Sequence, residues 1–458
     1  MTKHWFTSVM KEKSQSIRVP TNFAATDIHY VQFGRKVLPC DILLSDGTEF
    51  QISEDLWELL RIPRQTQFRY VQEDSTLRLL PLIGLFTPHL QRGAKEPLGT
   101  ETAIQQKWLK MTQDLGGVAF LFDGKHINFN EGTLEGWVLA DGEWKKMELP
   151  LPDVVYDRTP NRYMERHPLV KEIRSLFEQD YDIPWFNQGF FDKWTTYTLL
   201  EKASDGLDYL PETRVYNKPN FIKMLENHDF LYLKPRNKSK GAGIISIEAN
   251  ESGYLIKSYH HQQLKKQKVQ TKRDLWQTIH QLIKKPDKYI IQKGIRLILY
   301  QNHPVDFRIH TNKDRNGRWQ LSAIAGKRAG AEQLTTHLTY GGKVIPLTKL
   351  FNQEQLNESF EQLKTAALRL SEALSRQMDE KLGELGFDLG IDQTGQIWLF
   401  EVNAKPRHHI FLSPSIRHQL KGVHQYWLDY SQFLAEYRTE MSLLMQNFEW
   451  FINVYDML

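Results

Sequence analysis

The stretch that decides the fold is residues 386–405, with the sequence GFDLGIDQTGQIWLFEVNAK, which is followed by Pro406. Its first part alternates apolar residues with polar or small ones, which is the period of a β-strand. Residues 392–395 (DQTG) are typical of a turn, because glycine can take a positive φ there. Residues 396–402 (QIWLFEV) are apolar on both faces, which indicates a second, buried strand. The stretch therefore predicts a β-hairpin.

Three oxygen-bearing side chains lie near the open end of this predicted hairpin. Glu401 and Asn403 are two residues apart and so point to the same face, and a tight hairpin brings Asp388 beside them. Two carboxylates repel each other in apolar surroundings unless a cation lies between them. Ordinary edge charges on a solvated hairpin are the alternative, but the flanking residues are too apolar for it. An all-oxygen set of this kind suits Mg²⁺.

Composition excludes several classes of protein. The chain has 458 residues, of which 40% are hydrophobic, so it can form more than one domain. Lys and Arg number 59 against 55 Asp and Glu, a balance that does not indicate nucleic-acid or membrane-surface binding. The one cysteine, Cys40, excludes an internal disulfide framework and a cysteine-based zinc site. With no apolar run of about 18 residues and no signal-peptide pattern, we expect a cytoplasmic protein without a membrane span.

The chain changes character along its length. Residues 1–92 consist of short alternating segments separated by turns, which predicts a small, mostly-β N-terminal domain. Residues 97–185 alternate strand and helix patterns and indicate a small α/β domain. A long helix is expected over residues 356–382, where apolar residues recur at helical spacing. Residues 411–458 are rich in aromatic residues and predict a C-terminal helical extension.

A second motif follows a predicted strand that ends at Lys234, with the sequence KPRNKSKGAG over residues 234–243. Gly241 and Gly243 allow backbone N–H groups to fold over phosphates as a nest, and Lys234 supplies a positive charge for them. The loop joins a strand to a strand, which separates it from a Walker A loop. A basic hairpin tip without a ligand is the alternative on these residues alone.

A third group of residues lies on a predicted pair of strands. Residues 305–310 (VDFRIH) alternate, so that Asp306, Arg308 and His310 share one face. The returning strand, 319–325, delivers Lys327 and Arg328, and we expect Arg308 and Arg328 to reach the same region. Buried arginines need anions, and phosphates would satisfy them. The short segment after strand 289–291 could present its backbone to an adenine ring.

The order of these motifs resembles the ATP-grasp superfamily over about residues 185–410. Glu401 lies 13 residues after Asp388, and Asn403 follows two residues later, a spacing similar to that of ATP-grasp carboxylate–amine ligases such as the D-alanine–D-alanine ligases. The segments VYDR, FDKW, YLKPRNKSKGAGI, DFR and FEVNAKP resemble more closely the YheC/YheD family of endospore coat-associated ATP-grasp proteins.

The resemblance implies an α/β architecture, the α+β ATP-grasp fold, over residues 186–410, with a glycine-rich-loop subdomain at about 215–290. It implies ATP and Mg²⁺ as cofactors, with Mn²⁺ as an alternative ion. The implied metal ligands are Asp388, Glu401 and Asn403, and the implied catalytic residues are Arg308 and Arg328. The implied nucleotide-binding residues are Lys193, Lys234, Ser239, Lys240, Gly241, Gly243, Gln292, Lys293, Gly294 and Ile295.

The implied activity is that of a ligase that joins a carboxylate to an amine or thiol through an acyl phosphate, in spore-coat or envelope chemistry. An ATP-grasp kinase and a non-catalytic ATP-binding coat protein stay open as alternatives. The implied partners are a small-molecule or peptide carboxylate, a nucleophile and spore-coat proteins, and the chain would lie in the mother cell or on the spore; a homodimer stays open. Three positions depart from many relatives: Gly386 replaces an arginine, His337 an asparagine and Gln292 a glutamate.

Overall fold

A computed structural model describes residues 6–436, except 12–13, 22, 24–26, 48, 65, 89, 91–96, 99–101, 141, 204–206, 239–240, 261–262, 331–332, 335 and 337–339. Ser239, Lys240, His337 and the chain after residue 436 therefore lie outside the described residues. The chain divides into two compact units. The first comprises Met1–Gly189, Lys313–Arg318 and His424–Leu458, and the second Phe190–Asn312 and Trp319–Val423. The finer division predicted from the sequence stays a prediction.

The described residues of the first unit form three sheets. Its strands are β1 (Phe6–Met10), β2 (Ser16–Pro20), β3 (Tyr30–Phe33), β4 (Lys36–Pro39), β5 (Asp41–Ser45), β6 (Phe50–Ser53), β7 (Arg69–Glu73), β8 (Thr76–Leu80), β9 (Leu82–Phe86), β10 (Val118–Phe122), β11 (Ile127–Asn128), β12 (Thr133–Ala140), β13 (Glu143–Pro150), β14 (Val154–Asp157) and β15 (Trp185–Phe186). The strand orders are β1-β6-β2-β5, β4-β3-β8-β7 and β11-β12-β10-β9-β14-β15, with β13 paired to β12. The predicted β character of the N-terminal residues is confirmed.

The first unit also contains helices, one of which packs through a buried tryptophan. They are α1 (Glu54–Leu59), α2 (Thr102–Asp114), α3 (Arg162–Glu165) and α4 (Pro168–Ser175). Residues 424–436 are also helical. In that segment the buried Trp427 stacks on Trp108 of α2, with 5.2 Å between ring centroids. This helical segment therefore packs on helix α2 through aromatic rings; the predicted extent of the C-terminal extension, 411–458, stays a prediction.

The second unit begins with an antiparallel sheet. Its strands are β16 (Thr213–Val215), β17 (Phe230–Pro235), β18 (Ile245–Asn250), β19 (Gly253–His260), β20 (Gln263–Val269) and β21 (Tyr289–Lys293), and the helices are α5 (Lys193–Lys202), α6 (Lys218–Asn227) and α7 (Lys272–Leu282). The strand order is β16-β21-β17-β18-β19-β20. Helix α7 packs through Leu275 and Ile279 on the buried strand residues Leu233 and Ile247. This sheet carries the glycine-containing loop between β17 and β18.

A second sheet of the same unit carries the hairpin motif. Its strands are β22 (Leu299–Tyr300), β23 (His303–Lys313), β24 (Trp319–Arg328), β25 (Lys343–Ile345), β26 (Glu384–Ile391) and β27 (Ile397–Asn403), and its helices are α8 (Leu347–Leu350) and α9 (Gln353–Gln377). The order is β25-β24-β23-β26-β27, with β22 paired to β23.

Helix α9 covers one face of this sheet and leaves the other face for the polar residues. Leu363, Leu370 and Leu374 lie in one buried cluster with Phe307 and Phe387 of the sheet. An Asn352–Gln355 capping box fixes the start of the helix. Its predicted end at residue 382 is wrong, because Met378 adopts an extended backbone and ends the helix. No helix among the described residues is long and apolar enough to cross a membrane.

Candidate active site on the hairpin sheet

The hairpin of β26 and β27 brings the predicted metal ligands together by means of a β-bulge. From the turn, Ile391 pairs with Ile397 and Leu389 with Leu399, but Asp388 then pairs with Glu401. Phe400 is the extra residue. If the pairing continued without the bulge, Asp388 would pair with Phe400, and Glu401 would point to the opposite face of the sheet. The bulge therefore sets both carboxylates on one face.

Asp388 lies between two cations supplied by strands β23 and β24 of the same sheet. Lys327 Nζ of β24 donates to Asp388 Oδ1 at 2.7 Å, and Arg308 Nη2 of β23 lies 3.3 Å from Asp388 Oδ2. Lys327 Nζ also lies 3.1 Å from Asp306 Oδ1, and Thr336 donates to the other oxygen of Asp306 at 2.6 Å. Three strands, β23, β24 and β26, therefore place a lysine, an arginine and two carboxylates in one connected cluster.

Burial and the neighbouring charges have opposite effects on the pKa of Lys327. Burial by itself would lower the pKa of the Lys327 ammonium, but the carboxylates of Asp306 and Asp388 raise that pKa above its ordinary value. Burial raises the pKa of Asp306, the Lys327 charge opposes that rise, and Asp388 adds to it. Lys327 therefore stays charged, and it carries its charge to a buried position next to the predicted metal ligands.

The predicted meeting of Arg308 and Arg328 is wrong. Consecutive residues of a strand point to opposite faces, so Arg328 faces away from Lys327 and donates to Gln301 Oε1 at 2.6 Å. Ala323 and Ala325 already show the alternation, since both lie in a cluster with Ile410 and Phe411, whereas Ile324 lies in the cluster of helix α9. Lys327 is thus the residue that accompanies Arg308.

Sequence reasoning assigned no role to Lys327 and Asp306, although it placed both on these strands. The alternation of small and large apolar residues in β24 is the signal that could have separated Lys327 from Arg328. Asp306 shares its face with Arg308 by simple alternation, so it could have been included with the same argument.

Lys193 reaches the other carboxylate of the hairpin from the start of helix α5. Its Nζ lies 2.9 Å from Glu401 Oε1 and donates to the Lys238 backbone carbonyl at 2.8 Å. The Asp192 side chain caps the helix through the N–H groups of residues 194 and 195 and also accepts from Arg236. These contacts join the helix start, the beginning of the glycine-containing loop and the hairpin.

Lys234 is a buried lysine at the end of β17. Its Nζ donates to Gln292 Oε1 at 2.5 Å, and Gln292 in turn donates to Thr213. The ammonium also lies 5.4 Å from the ring centroid of Phe400, the bulge residue. Burial lowers the pKa of Lys234 to about 8, and the nearby Lys193 charge adds to the lowering. An anion beside Lys234 would reverse this effect.

The loop between β17 and β18 has the backbone that its glycines predict. Gly241 and Gly243 have φ values of +72° and +78°, a region that side-chain-bearing residues rarely adopt. A Cβ at Gly243 would also lie 3.0 Å from Pro235 and 3.1 Å from the Tyr289 hydroxyl. Tyr289 donates to the Gly243 carbonyl at 3.2 Å and ties the loop to β21.

The segment predicted to face adenine, residues 292–295, continues β21. The backbone N–H groups of Lys293 and Gly294 donate to the carbonyls of Glu212 and Phe230, at 2.8 and 2.7 Å. These two N–H groups are therefore already hydrogen-bonded to other backbone carbonyls. An adenine contact would have to use other atoms of the segment, including those of Ile295. The Lys293 side chain lies over the ring of Trp398, 4.9 Å from its centroid.

Gly386 makes room for Arg308. A Cβ at Gly386 would lie 3.1 Å from Arg308 Nη1 and 2.6 Å from Pro406 Cβ. The Arg308 guanidinium therefore lies beside residue 386, the position at which the sequence has glycine in place of the arginine of many relatives. The arginine that residue 386 lacks is thus replaced in space by Arg308 of the neighbouring strand β23.

Asn403 lies next to the two carboxylates on the hairpin. It pairs with Gly386 across the hairpin, next to the pair of Asp388 and Glu401. Its Nδ2 atom is buried and has no hydrogen-bond partner among the described residues. Two carboxylates and an amide on one face, surrounded by cations, form an all-oxygen donor set that suits Mg²⁺.

Comparison with known proteins identifies the family. The family profile described as YheC/D like ATP-grasp matches residues 182–434. The chain belongs to this family. It is 32% identical over 440 residues to the endospore coat-associated protein YheD of Bacillus subtilis (strain 168), covering 95% of this chain and 97% of that protein. It is 23% identical over 291 residues to YheC of the same organism, covering 61% of this chain and 78% of that protein.

Among solved structures, the YheC/D-like ATP-grasp chain is similar to the D-alanine–D-alanine ligase from Coxiella burnetii. The TM-score is 0.47 at 11% identity, covering 81% of this chain and 99% of that chain. The ATP-grasp fold predicted from the motif order is confirmed by the family match.

Proposed function

We propose that the chain is a Mg²⁺-ATP-dependent ligase that activates a carboxylate as an acyl phosphate and joins it to an amine or thiol. One observation carries the proposal. Lys193, Lys234, Arg308 and Lys327 come from four separate elements and converge on the hairpin that carries the Asp388–Glu401 pair. So many cations around two carboxylates suit a polyanionic ligand that brings its own metal ion.

Asp388, Glu401 and Asn403 are the residues that would hold Mg²⁺. When bound there, Mg²⁺ would neutralise phosphate oxygens and help to orient them. The three side chains lie on one face of the hairpin, and the lysine and arginine contacts of the two carboxylates show that this face accommodates positive charge.

The cations divide by position into two groups. Lys193 and Lys234 lie beside the glycine-containing loop and would contact the α- and β-phosphates, with Gly241 and Gly243 in the loop that covers them. Ser239 and Lys240 complete that loop in the sequence. Arg308 and Lys327 lie beside Asp388 and would stabilise charge on the transferred phosphoryl group.

The proposed reaction has two steps. A substrate carboxylate oxygen attacks the γ-phosphorus, the bond to the β–γ bridging oxygen breaks, and ADP leaves. An amine or thiol then attacks the acyl carbon, phosphate leaves with the bonding electrons, and the nucleophile loses a proton. Arg308 and Lys327 would bind the same phosphate in both steps, since it stays in place while the acyl group is transferred.

A non-catalytic role in the endospore coat is the second candidate. The observation that favours it is the identity over nearly the whole chain with YheD, which is described as an endospore coat-associated protein. An association of this chain with spore-coat proteins is part of the same proposal. A kinase on this scaffold would use the same nucleotide site but would transfer the phosphoryl group to a stable acceptor.

Nucleotide binding is tested first by thermal unfolding with ATP plus Mg²⁺, with ATP plus chelator and with Mg²⁺ alone. At a hundredfold excess over Kd, binding stabilises the fold by about 2.7 kcal/mol. We expect a shift that requires both ligands and disappears in Glu401→Ala. No shift for the unaltered chain would refute the ligase and the kinase together.

The reaction is tested by incubation with Mg²⁺-ATP, hydroxylamine and a panel of amino acids, dipeptides and acidic peptides. Hydroxamate formation together with ADP release identifies an acyl phosphate and supports the ligase. A stable phosphorylated product would identify a kinase. Nucleotide binding without turnover over the whole panel would favour the coat-protein role.

A further inference from the structure

A cluster of two histidines and a glutamate lies next to the proposed nucleotide site but takes no part in it. His310 follows Arg308 by two residues on β23, Glu384 precedes Asp388 by four residues on β26, and His408 lies after the end of β27. The three residues are 0%, 1% and 3% exposed. Each offers one ligand atom, and these atoms all lie within 4.8 Å of one another.

The contacts inside the cluster account for only part of its polar groups. His408 Nε2 lies 2.5 Å from Glu384 Oε1, which is a hydrogen bond. His310 Nδ1 lies 3.7 Å from the same oxygen, too far for one. Neither ring nitrogen of His310 has a hydrogen-bond partner among the described residues, although the side chain is fully buried. Such a buried, unpartnered polar ring is unfavourable unless another ligand satisfies it.

We propose that His310, Glu384 and His408 bind a divalent transition-metal ion, with Zn²⁺ as the best match. Two imidazoles and one carboxylate are a common zinc ligand set that leaves a fourth position for a non-protein ligand. Two ligands of one tetrahedral ion with bonds of about 2.0 Å lie about 3.3 Å apart. The observed separations of 2.5 and 3.7 Å from Glu384 Oε1 lie on either side of this value.

The site differs in chemistry from the hairpin site that would hold Mg²⁺. Mg²⁺ prefers oxygen ligands and keeps several waters, whereas this cluster offers two nitrogens in a buried position. The rings of His310 and Phe411 meet at a near right angle with 4.8 Å between their centroids, so part of the surroundings of His310 is apolar. A transition metal would join β23 and β26, which carry Arg308 and Asp388, to the segment that follows β27 and its last residue, Asn403.

The test uses the full chain without an affinity tag. Chelator removes bound metal, dialysis removes the chelator, and the chain is then loaded with Co²⁺, a spectroscopic substitute for Zn²⁺. We expect one tightly bound ion per chain by elemental analysis and the visible d–d bands of tetrahedral cobalt. Addition of Zn²⁺ should displace the cobalt and remove the bands. Glu401→Ala, which removes a ligand of the hairpin site, should retain this ion and its spectrum.

His310→Gln and His408→Gln should each lower the Co²⁺ affinity by about 100-fold or more. His303→Gln, at the start of the same strand β23, is the matched control and should bind as the unaltered chain does. Cooperative thermal unfolding of each variant shows that it is folded. If His310→Gln fails to fold, His408→Gln carries the test, because a glutamine amide can still donate to Glu384.

Two results would overturn the proposal. One is a loaded wild-type chain with well under one ion after dialysis and no tetrahedral cobalt spectrum. The other is equal cobalt binding by His408→Gln, His303→Gln and the wild type. Either would leave the three residues as a buried polar cluster that binds no metal ion. Since neither readout involves nucleotide, the outcome is independent of the proposed ligase activity.

Discussion

Replacement of Lys327 by methionine is the sharpest test of the charge cluster. The side chain is 9% exposed, and its Nζ lies 2.7 Å from Asp388 Oδ1 and 3.1 Å from Asp306 Oδ1. Methionine preserves most of the volume but leaves the buried Asp306 and the half-buried Asp388 carboxylates with less positive charge. Breaking a buried ion pair from one side costs about 3–5 kcal/mol, so we expect Lys327→Met to lower the free energy of unfolding at neutral pH by that amount.

The pH dependence of this loss follows from Asp306. Its pKa is already raised in the folded chain, and removal of the Lys327 charge should raise it further above the unfolded value of about 3.9. Between the two values the folded variant binds more protons than the unfolded one, so the free energy of unfolding increases as the pH falls. The deficit relative to the unaltered chain should therefore shrink by up to about 1.4 kcal/mol per pH unit between the pKa values that Asp306 has in the two folded chains.

Urea unfolding at neutral and mildly acidic pH measures both effects. Arg328→Met is the matched control, because the neighbouring residue points to the other face and its bond to Gln301 is exposed; we expect it to cost about 1 kcal/mol or less. Asp306→Asn in the Lys327→Met background should recover part of the stability. Equal losses for Lys327→Met and Arg328→Met, or no recovery with Asp306→Asn, would refute the arrangement.

Three further predictions test other parts of the site. Gly390→Ala would place a Cβ 2.5 Å from the Phe400 ring, so we expect a loss of about 1–3 kcal/mol in urea unfolding; an unchanged midpoint would argue against the bulge. Mg²⁺-ATP affinity, measured by calorimetry, should be flat below about pH 8 and weaken by up to tenfold per unit above it, because Lys234, with a pKa of about 8, must then take up a proton to bind phosphate; a flat profile to about pH 10 would contradict a phosphate contact by Lys234. Glu401→Ala should change unfolding by only about 0–1 kcal/mol, since its contact with Lys193 is partly exposed, yet abolish the stabilisation by Mg²⁺-ATP; retained stabilisation would exclude Glu401 as a metal ligand.

The sequence by itself determined the local elements and their order. The hairpin, the strand that ends at Lys234 and helix α9 could be predicted because periodicity and turn residues act over a few neighbouring positions. The positive φ of Gly241 and Gly243 in the loop between β17 and β18 could also be predicted, because the preference for positive φ is a property of single residues. The resemblance to the family rested on several segments together, among them VYDR, FDKW and FEVNAKP.

Only the tertiary structure decided which side chains share a face. The extra residue Phe400 shifts the register and sets Glu401 beside Asp388, and the alternation of β24 selects Lys327 rather than Arg328. His310, Glu384 and His408 meet although no local pattern connects them. The physical reason is that alternation is fixed within a strand, whereas the face that a neighbouring strand presents depends on a register set by long-range pairing and packing.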